Sequence, residues 1–202
     1  MDTAVVSAAI MPLMSAEAAD ETLMQRYARG DAAAFDELYR RHELKVWRFI
    51  QRSVANRASA DELMQEVWFS VARQAPRYLP TAKFTTWLFT LARHRVIDAH
   101  RMQRPHDSID EPRIHGPQLA EQLSTSPSEN PSSQLQAWQE REALIGAVRR
   151  LPDEQREAFL LQAEGELSVA EIARATGVNF ETAKSRLRYA RAALKTMLQE
   201  LA

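Results

Sequence analysis

A segment rich in proline and serine, residues 105–134, divides the chain and limits the folds that are open to it. The segment holds five of the nine prolines, has one basic residue against five acidic ones, and shows no hydrophobic periodicity. This composition predicts an extended linker that does not fold alone. The flanking parts, residues 20–104 and 135–202, are each small for a domain and need closely packed helices to be stable.

Apolar residues recur at helical spacing on both sides of the linker, and neither side contains a convincing strand alternation. We therefore predict an all-α fold of two small helical domains joined by a flexible linker. Residues 1–19 are rich in alanine, are interrupted by Pro12 and contain no lysine or arginine. A secretory signal would have a basic start, so these residues are not expected to be one. We expect them to form a disordered N-terminal extension.

The chain contains no cysteine, so it has no disulfide and no thiolate metal ligand. This composition fits a reducing compartment. No apolar run approaches the roughly 18 to 20 residues that would cross a bilayer. We expect a cytoplasmic protein without direct membrane insertion.

The net charge of −1, from 26 basic and 27 acidic residues, hides two basic blocks. Residues 77–104 contain six lysines and arginines with Asp98 as the sole acid, and residues 182–195 contain five with no acid. Since a surface that only confers solubility normally mixes the two signs, the acid-free block favours a nucleic-acid partner.

Ser59 and Glu62 have the spacing of a capping box, so a helix is expected to begin there. One face of this helix is apolar and comprises Leu63, Val67, Trp68 and Val71. The acids on the other face either bind a partner or simply complement the positive end of the helix dipole. That acidic face comprises Asp61, Glu62, Gln65, Glu66 and Phe69.

A further amphipathic helix is predicted from Phe84 to about Arg101, preceded by Lys83. Cations, hydroxyls and aromatic rings alternate near its start, which suits single-stranded nucleic acid because cations hold phosphates and rings accept unstacked bases. The alternative is that Phe84 and Trp87 are core residues, and this interpretation is favoured for Phe84. The candidate contacts are Lys83, Thr85, Thr86, Trp87, Arg93, His94, Arg95, Asp98 and Arg101.

The C-terminal part carries the stronger motif. Ser168 and Glu171 form a capping box before a short helix, Gly177 supplies a tight turn, and Asn179 is placed to cap the next helix. A short helix, a glycine turn and a basic second helix predict a helix-turn-helix, whose second helix enters the major groove.

The second helix of this motif has two opposed stripes at helical spacing. The apolar stripe comprises Ala183, Leu187, Ala190 and Leu194. The basic stripe comprises Lys184, Arg188, Arg191 and Lys195, and Thr182, Ser185 and Arg186 lie near the N-terminal end.

Together and in this order, the segments resemble the extracytoplasmic-function (ECF) sigma factors, small two-domain bacterial initiation factors. The resemblance covers about residues 20–104 and 135–200. Residues 61–68, DELMQEVW, are similar to the family's polymerase-docking helix. Residues 84–101, FTTWLFTLARHRVIDAHR, are similar to its promoter-melting and −10-reading segment.

In the C-terminal part, the Leu151-Pro152 pair, Glu171-Ile-Ala173 and residues 182–187, TAKSRL, are similar to the family's −35-reading signature. Single positions depart from the family pattern. His94, Glu181, Ala183 and Tyr189 stand where the family usually has Asn, Gly, Val and Arg.

The resemblance implies a protein without catalytic chemistry, cofactor or metal, which binds core RNA polymerase and directs it to promoter DNA. It implies that the acidic helix docks on the clamp coiled coil of the β′ subunit and the C-terminal domain on the β flap. Residues 83–101 would bind melted −10 DNA. The implied −35 contacts are Thr182, Lys184, Ser185, Arg186, Arg188 and Arg191.

An anti-sigma factor is a further partner that the resemblance implies. It also gives the acidic linker, residues 105–134, two readings. The linker either mimics nascent RNA in the active-site cleft of the polymerase or serves as a soluble tether.

Two other functions are compatible with parts of the sequence. A stand-alone helix-turn-helix regulator with an N-terminal sensing domain would explain the C-terminal motif, although a sensor domain has no need of a basic aromatic block. A helical metalloenzyme is disfavoured because His94, His100 and His106 are six residues apart, whereas paired ligands on one helix face are four apart.

Overall fold

The computed structural model describes residues 18–103 and 131–199. Within these ranges the chain forms eight α-helices and a short 3-10 turn at Ala75–Arg77, with no β-strand. The all-α prediction is confirmed. The helices are α1 (Asp20–Ala28), α2 (Ala32–Ser53), α3 (Arg57–Gln74), α4 (Phe84–Gln103), α5 (Pro131–Arg150), α6 (Asp153–Ala163), α7 (Val169–Thr176) and α8 (Phe180–Gln199).

Helices α1 to α4 form the N-terminal half, and a sharp turn separates the first two. Gly30 has a φ of +99°, a left-handed conformation that glycine adopts without steric strain. Asp31 then caps α2 by accepting a hydrogen bond from the Ala34 N–H at 3.3 Å. The turn and the cap together fix where α2 begins.

Helix α3 begins earlier than the capping-box spacing predicted. Its N-cap is Asn56, whose side-chain oxygen accepts a hydrogen bond from the Ser59 N–H at 2.8 Å. Ser59 therefore lies within the first turn, and the predicted capping box of Ser59 and Glu62 is wrong. Asn56 is itself a strong N-cap three residues upstream, so the helix starts at Arg57. The predicted apolar face is nevertheless buried.

The start of α4 is anchored in the core of the N-terminal half. Phe84 is fully buried, as predicted, and its backbone N–H donates to Glu21 Oε1 at 2.6 Å. This carboxylate from α1 satisfies one of the free amides of the first turn, where negative charge is favourable. Helix α4 is thereby fixed relative to α1, and its polar side chains leave the core in defined directions.

Helices α5 to α8 form the C-terminal half. Helix α5 begins at Pro131, a residue favoured in the first turn of a helix, so the last four residues of the predicted linker, 131–134, are helical. Residues 104–130, which include the rest of the linker, and residues 1–17 lie outside the described residues.

The two halves pack against each other through α2 and α4 on one side and α5, α6 and α7 on the other. The turn between α6 and α7 approaches α4 closely at Gly165. A Cβ atom at Gly165 would lie 2.9 Å from Phe89 Cγ and 2.8 Å from the Leu161 carbonyl oxygen. A side chain at Gly165 would therefore force a shift of Phe89 in α4 and of Leu161 or Leu167 in the C-terminal half.

Candidate nucleic-acid interface

Helices α7 and α8 form the predicted helix-turn-helix. The capping box is complete: the Glu171 N–H donates to Ser168 Oγ at 3.3 Å, and the Ser168 N–H donates to the Glu171 carboxylate at 2.8 Å. Gly177 turns the chain with a φ of +70°. The Asn179 side chain accepts a hydrogen bond from the Thr182 N–H at 2.7 Å. All three local predictions are confirmed.

Helix α8 presents the two stripes that its spacing predicted. The apolar stripe of Ala183, Leu187, Ala190 and Leu194 is buried against α6 and α7. The opposite stripe of Lys184, Arg188, Arg191 and Lys195 is exposed. A rigid helix therefore holds four cations in a row at the surface, which is the geometry needed to meet a phosphate-lined groove.

Three of these cations have partners, which come from the C-terminal half itself. The Arg191 guanidinium donates to Gln162 Oε1 at 2.6 Å, and that of Arg188 lies 4.9 Å from the centroid of the Tyr189 ring. Lys184 Nζ is 3.6 Å from the exposed carboxylate of Glu181. Contacts of this kind at an exposed surface contribute little free energy, so a nucleic acid can replace them.

Arg186 lies deeper than the basic stripe. It borders a cleft between α6 and α8 together with Thr182 and Ser185, both half-buried. Its guanidinium is 2.7 Å from Glu154 Oε2 and its side chain is 19% exposed. The predicted −35 contacts therefore fall into two groups, an outer stripe and a recessed N-terminal group.

The first turn of α4 divides the predicted −10 contacts by burial. Lys83 is exposed and Thr85 is half-exposed. Trp87 is half-buried, with its ring centroid 5.2 Å from that of Tyr78 in an edge-on contact. Thr86 is only 7% exposed, because its hydroxyl donates to Glu171 Oε1 at 2.9 Å.

Farther along α4, the remaining candidates lie on the polar face. His94 and Arg101 are exposed, and Arg95 is half-buried. Arg101 Nη1 is 3.9 Å from Asp98, which is also exposed. Arg93 differs from the rest of the group: its side chain is 16% exposed and its Nε donates to Glu157 Oε1 at 2.8 Å.

The acidic face of α3 is exposed and borders an apolar cleft. The cleft has a volume of about 390 Å³ and is lined by Tyr27, Phe35, Tyr39, Met64, Trp68 and Phe69, among others. Phe69 is 74% exposed, and Asp61 accepts a hydrogen bond from Trp47 Nε1 at 3.1 Å. Glu62, Gln65 and Glu66 continue this exposed face. Carboxylates beside an exposed ring and an apolar cleft form a surface suited to a basic, partly apolar helical partner.

Sequence models of two families match the chain. The model described as Sigma-70 region 2 matches residues 38–106, and that described as Sigma-70, region 4 matches residues 141–194. The RNA polymerase sigma factor CarQ of Myxococcus xanthus is 32% identical over 178 residues, which cover 88% of this chain and 97% of CarQ. This chain belongs to the ECF RNA polymerase sigma factors.

A further relative supports the same assignment, and two solved structures share the fold. The ECF RNA polymerase sigma factor RpoE of Cereibacter sphaeroides is 34% identical over 162 residues, 79% of this chain and 83% of that protein. The fold matches that of CnrH, solved in complex with the cytosolic domain of CnrY, with a TM-score of 0.64 at 19% identity over 92% of this chain and 100% of that one. The sigma factor RpoE of Bartonella quintana, solved with the anti-sigma factor NepR, matches with a TM-score of 0.57 at 22% identity, over 76% and 89% of the two chains.

This sigma factor directs RNA polymerase to promoters, and α3 and α4 lie in its region 2 while α8 lies in its region 4. The match of region 2 leaves the alternative of a stand-alone regulator without support. Within residues 18–103 and 131–199, no cluster of three or more histidines and carboxylates is arranged to hold a metal ion. In the same ranges no helix is long and apolar enough to cross a membrane.

Sequence reasoning missed the contacts that the C-terminal half makes with the basic side of the N-terminal half. Four glutamates make these contacts, and each meets a residue at least 64 positions away in the chain. No periodicity or local motif signals a pairing at such separations. The four residues are Glu157, Glu164, Glu166 and Glu171.

Proposed function

We propose that α8 of this sigma factor reads −35 duplex DNA from the major groove. Thr182, Lys184, Ser185 and Arg186 form the N-terminal end of the helix, the part that contacts base edges in helix-turn-helix proteins. Arg188 and Arg191 extend along the exposed stripe toward the phosphates. The acid-free segment 182–195, whose basic stripe is exposed along one face of α8, is the observation that carries this proposal.

The polar side of α4, with Lys83 and Thr85 before it and along its first turn, holds the melted −10 strand. Each base-pair step opened costs roughly 1.4 kcal/mol of stacking, and each base held on the protein returns about 1 to 3 kcal/mol. One or two captured bases therefore hold open a few steps. Because Trp87 is half-buried against Tyr78, it supports the edge of a base site and is not a freely projecting ring. The residues proposed for this surface are Lys83, Thr85, Thr86, Trp87, Arg93, His94, Arg95, Asp98 and Arg101.

The acidic face of α3 docks on core RNA polymerase at the clamp coiled coil of β′, and the C-terminal half contacts the β flap. Asp61, Glu62, Gln65 and Glu66 supply negative charge, and Phe69 supplies an exposed apolar contact beside the cleft. Two proteins of the same fold were solved in complexes, CnrH with the cytosolic domain of CnrY and RpoE with the anti-sigma factor NepR. An anti-sigma factor is accordingly a proposed partner of this cytoplasmic protein, which carries out no catalytic step.

Run-off transcription with core RNA polymerase on a promoter library tests this assignment. Lys184→Ala removes a cation at the reading end of α8, and Lys195→Ala removes the same side chain at the far end of the same exposed stripe. We expect Lys184→Ala to change the selected −35 sequences and to reduce transcription from a wild-type promoter by about 5- to 100-fold, whereas Lys195→Ala keeps the wild-type selection.

A second arm addresses α4 with Trp87→Ala, which is expected to impair promoter opening while leaving recruitment to −35 DNA intact. Permanganate reactivity of unpaired thymines reports opening, and a gel shift of the polymerase complex reports recruitment. An unchanged −35 preference in Lys184→Ala would refute the proposed role of α8. Normal opening in Trp87→Ala would refute the proposed role of the first turn of α4.

A further inference from the structure

We infer that the free chain adopts a closed state in which an acidic edge of the C-terminal half covers the −10 surface of α4 and competes with DNA for it. The acidic edge consists of Glu157, Glu164, Glu166 and Glu171. The inference rests on the proposed function in one respect, which is that the ligand excluded from α4 is −10 DNA.

Within residues 18–103 and 131–199, four ion pairs between the halves share one polarity, with the cation in the N-terminal half and the carboxylate in the acidic edge. Lys45 pairs with Glu166 at 2.5 Å, and Arg52 pairs with Glu164. The other two pairs involve α4 and the residue before it: Arg93 is 2.8 Å from Glu157, and Lys83 is 3.9 Å from Glu171. At Lys83 and Arg93 the carboxylates occupy positions where phosphates would otherwise bind, and the pairs of Lys45 and Arg52 hold the acidic edge in place beside them.

Two residues proposed to hold the −10 strand are engaged directly by this edge. The Thr86 hydroxyl donates to Glu171, and the Arg93 guanidinium donates to Glu157. Both side chains are largely buried in this arrangement. DNA therefore reaches them only after the acidic edge has moved away.

Glu171 has a carboxylate held in its charged form. The hydrogen bond from the Ser168 hydroxyl, supported by the Ser168 N–H and by Thr86, lowers its pKa to about 2 although burial opposes the shift. The residue thus belongs both to the capping box of α7 and to the contact with α4. The helix-turn-helix fold itself places this carboxylate against the −10 surface.

Apolar packing reinforces the ionic contacts. The turn that carries Glu164 and Glu166 passes over Phe89 at Gly165, where any side chain would collide with the ring or with the Leu161 carbonyl. Phe89 is fully buried beneath it. The acidic edge is therefore held against α4 by close packing as well as by ion pairs.

Distances between spin labels test the closed state in the full chain. Because the protein has no cysteine, Ala33→Cys on α2 and Ala192→Cys on α8 give two unique labelling sites, one in each half and both exposed. Lys45→Glu places like charges opposite Glu166, and the swap Lys45→Glu with Glu166→Lys restores the attraction. Arg73→Glu, at an exposed site of α3, makes the same change of charge elsewhere as a control.

We expect one narrow distance distribution in the parent chain and in Arg73→Glu, a second and longer population in Lys45→Glu, and recovery of the narrow distribution in the swap. Circular dichroism establishes that all variants retain their helices. If Lys45→Glu keeps the parent distribution, or if the swap does not restore it, the closed state is refuted. Neither Lys45 nor Glu166 belongs to the proposed DNA surfaces, so the distance measurement does not depend on whether those surfaces bind DNA.

Binding of a single-stranded DNA of about 15 nucleotides tests the competition. Glu157→Gln releases Arg93 without altering any residue proposed to bind DNA, and Glu142→Gln removes an exposed carboxylate of α5 as the matched control. Uncovering the −10 surface of α4 raises the fraction of molecules that can bind DNA. We therefore expect Glu157→Gln to bind the single strand about two- to fivefold more tightly than Glu142→Gln. Equal affinities would refute the competition. The run-off assays are independent of this result. They test the proposed function within the polymerase complex, whether or not the free chain adopts the closed state.

Discussion

The basic surfaces of α4 and α8 contain the same kinds of side chain but differ in what neutralises them. On α8, Arg188 and Arg191 contact Tyr189 and Gln162 of their own half and stay exposed. On α4, Arg93 is paired with a carboxylate that arrives from the other half and is largely buried. A basic block in a sequence therefore does not establish that its cations are free to bind DNA.

The difference follows from how each surface is built. The face of α8 depends on its cap and on a core shared with α6 and α7, all of which belong to the C-terminal half. The face of α4 is completed by residues of α6 and α7 that follow it by at least 64 positions. The first surface is available as soon as its half folds, and the second depends on the arrangement of the two halves.

Among changes that should affect the surface of α4 but not that of α8, Gly165→Ala is expected to have the largest effect. The added Cβ would meet Leu161 O at 2.8 Å and Phe89 Cγ at 2.9 Å, so we expect a loss of about 1 to 3 kcal/mol in the free energy of unfolding. The free chain should also bind single-stranded DNA more tightly. Denaturant unfolding measures the first effect and fluorescence anisotropy the second.

Gly146→Ala is the control for this change, because Gly146 lies inside α5 and an added Cβ there would point into open space. Here alanine should stabilise the helix by about 0.5 to 1 kcal/mol. A Gly165→Ala variant as stable as the parent would show that the α6–α7 turn is not tightly seated on α4.

An intermediate effect is expected from Glu171→Gln, which weakens the capping box of α7 and the bond to Thr86 together. We expect a loss of about 1 to 2 kcal/mol at pH 7. Glu181→Gln, at an exposed position in the first turn of α8, is the control and should change stability by less than about 0.5 kcal/mol.

The pH dependence of this effect has a definite sign. The folded chain holds the pKa of Glu171 at about 2, below the ordinary value of 4.5. Its stabilisation is therefore present in full above pH 4.5 and is lost as the pH falls from about 4.5 toward 2. Over that range the stability of the parent chain should approach that of Glu171→Gln. A difference that stays constant down to pH 2 would contradict the ionised contact.

The smallest expected effect concerns the caps of the N-terminal half. Asn56→Ala removes the cap of α3 and should cost about 1 kcal/mol, whereas Ser59→Ala should change stability by less than about 0.5 kcal/mol. Thermal unfolding of both variants measures the difference. A larger loss of stability in Ser59→Ala than in Asn56→Ala would indicate that Ser59 and Glu62 form the capping box of α3, as Ser168 and Glu171 do for α7.

The local parts of this molecule were predictable from sequence, and the reasons are physical. The box at Ser168, the turn at Gly177 and the four-residue apolar stripe of α8 depend on neighbours within a few positions, so spacing alone identifies them. The cap of α3 was misplaced because two polar residues, Asn56 and Ser59, compete for the same role. The burial of Thr86 could not be predicted, since its partner, Glu171, is 85 residues away.

The long separation between paired residues also bears on how the protein is made. Lys45 and Glu166 are 121 residues apart. At a synthesis rate of about 5 to 20 residues per second, the carboxylate leaves the ribosome roughly 6 to 24 seconds after the cation. The N-terminal half therefore emerges with its basic side uncovered, in a cell compartment crowded with RNA. Each newly made molecule passes through an interval in which its α4 surface meets other polyanions before its own acidic edge exists.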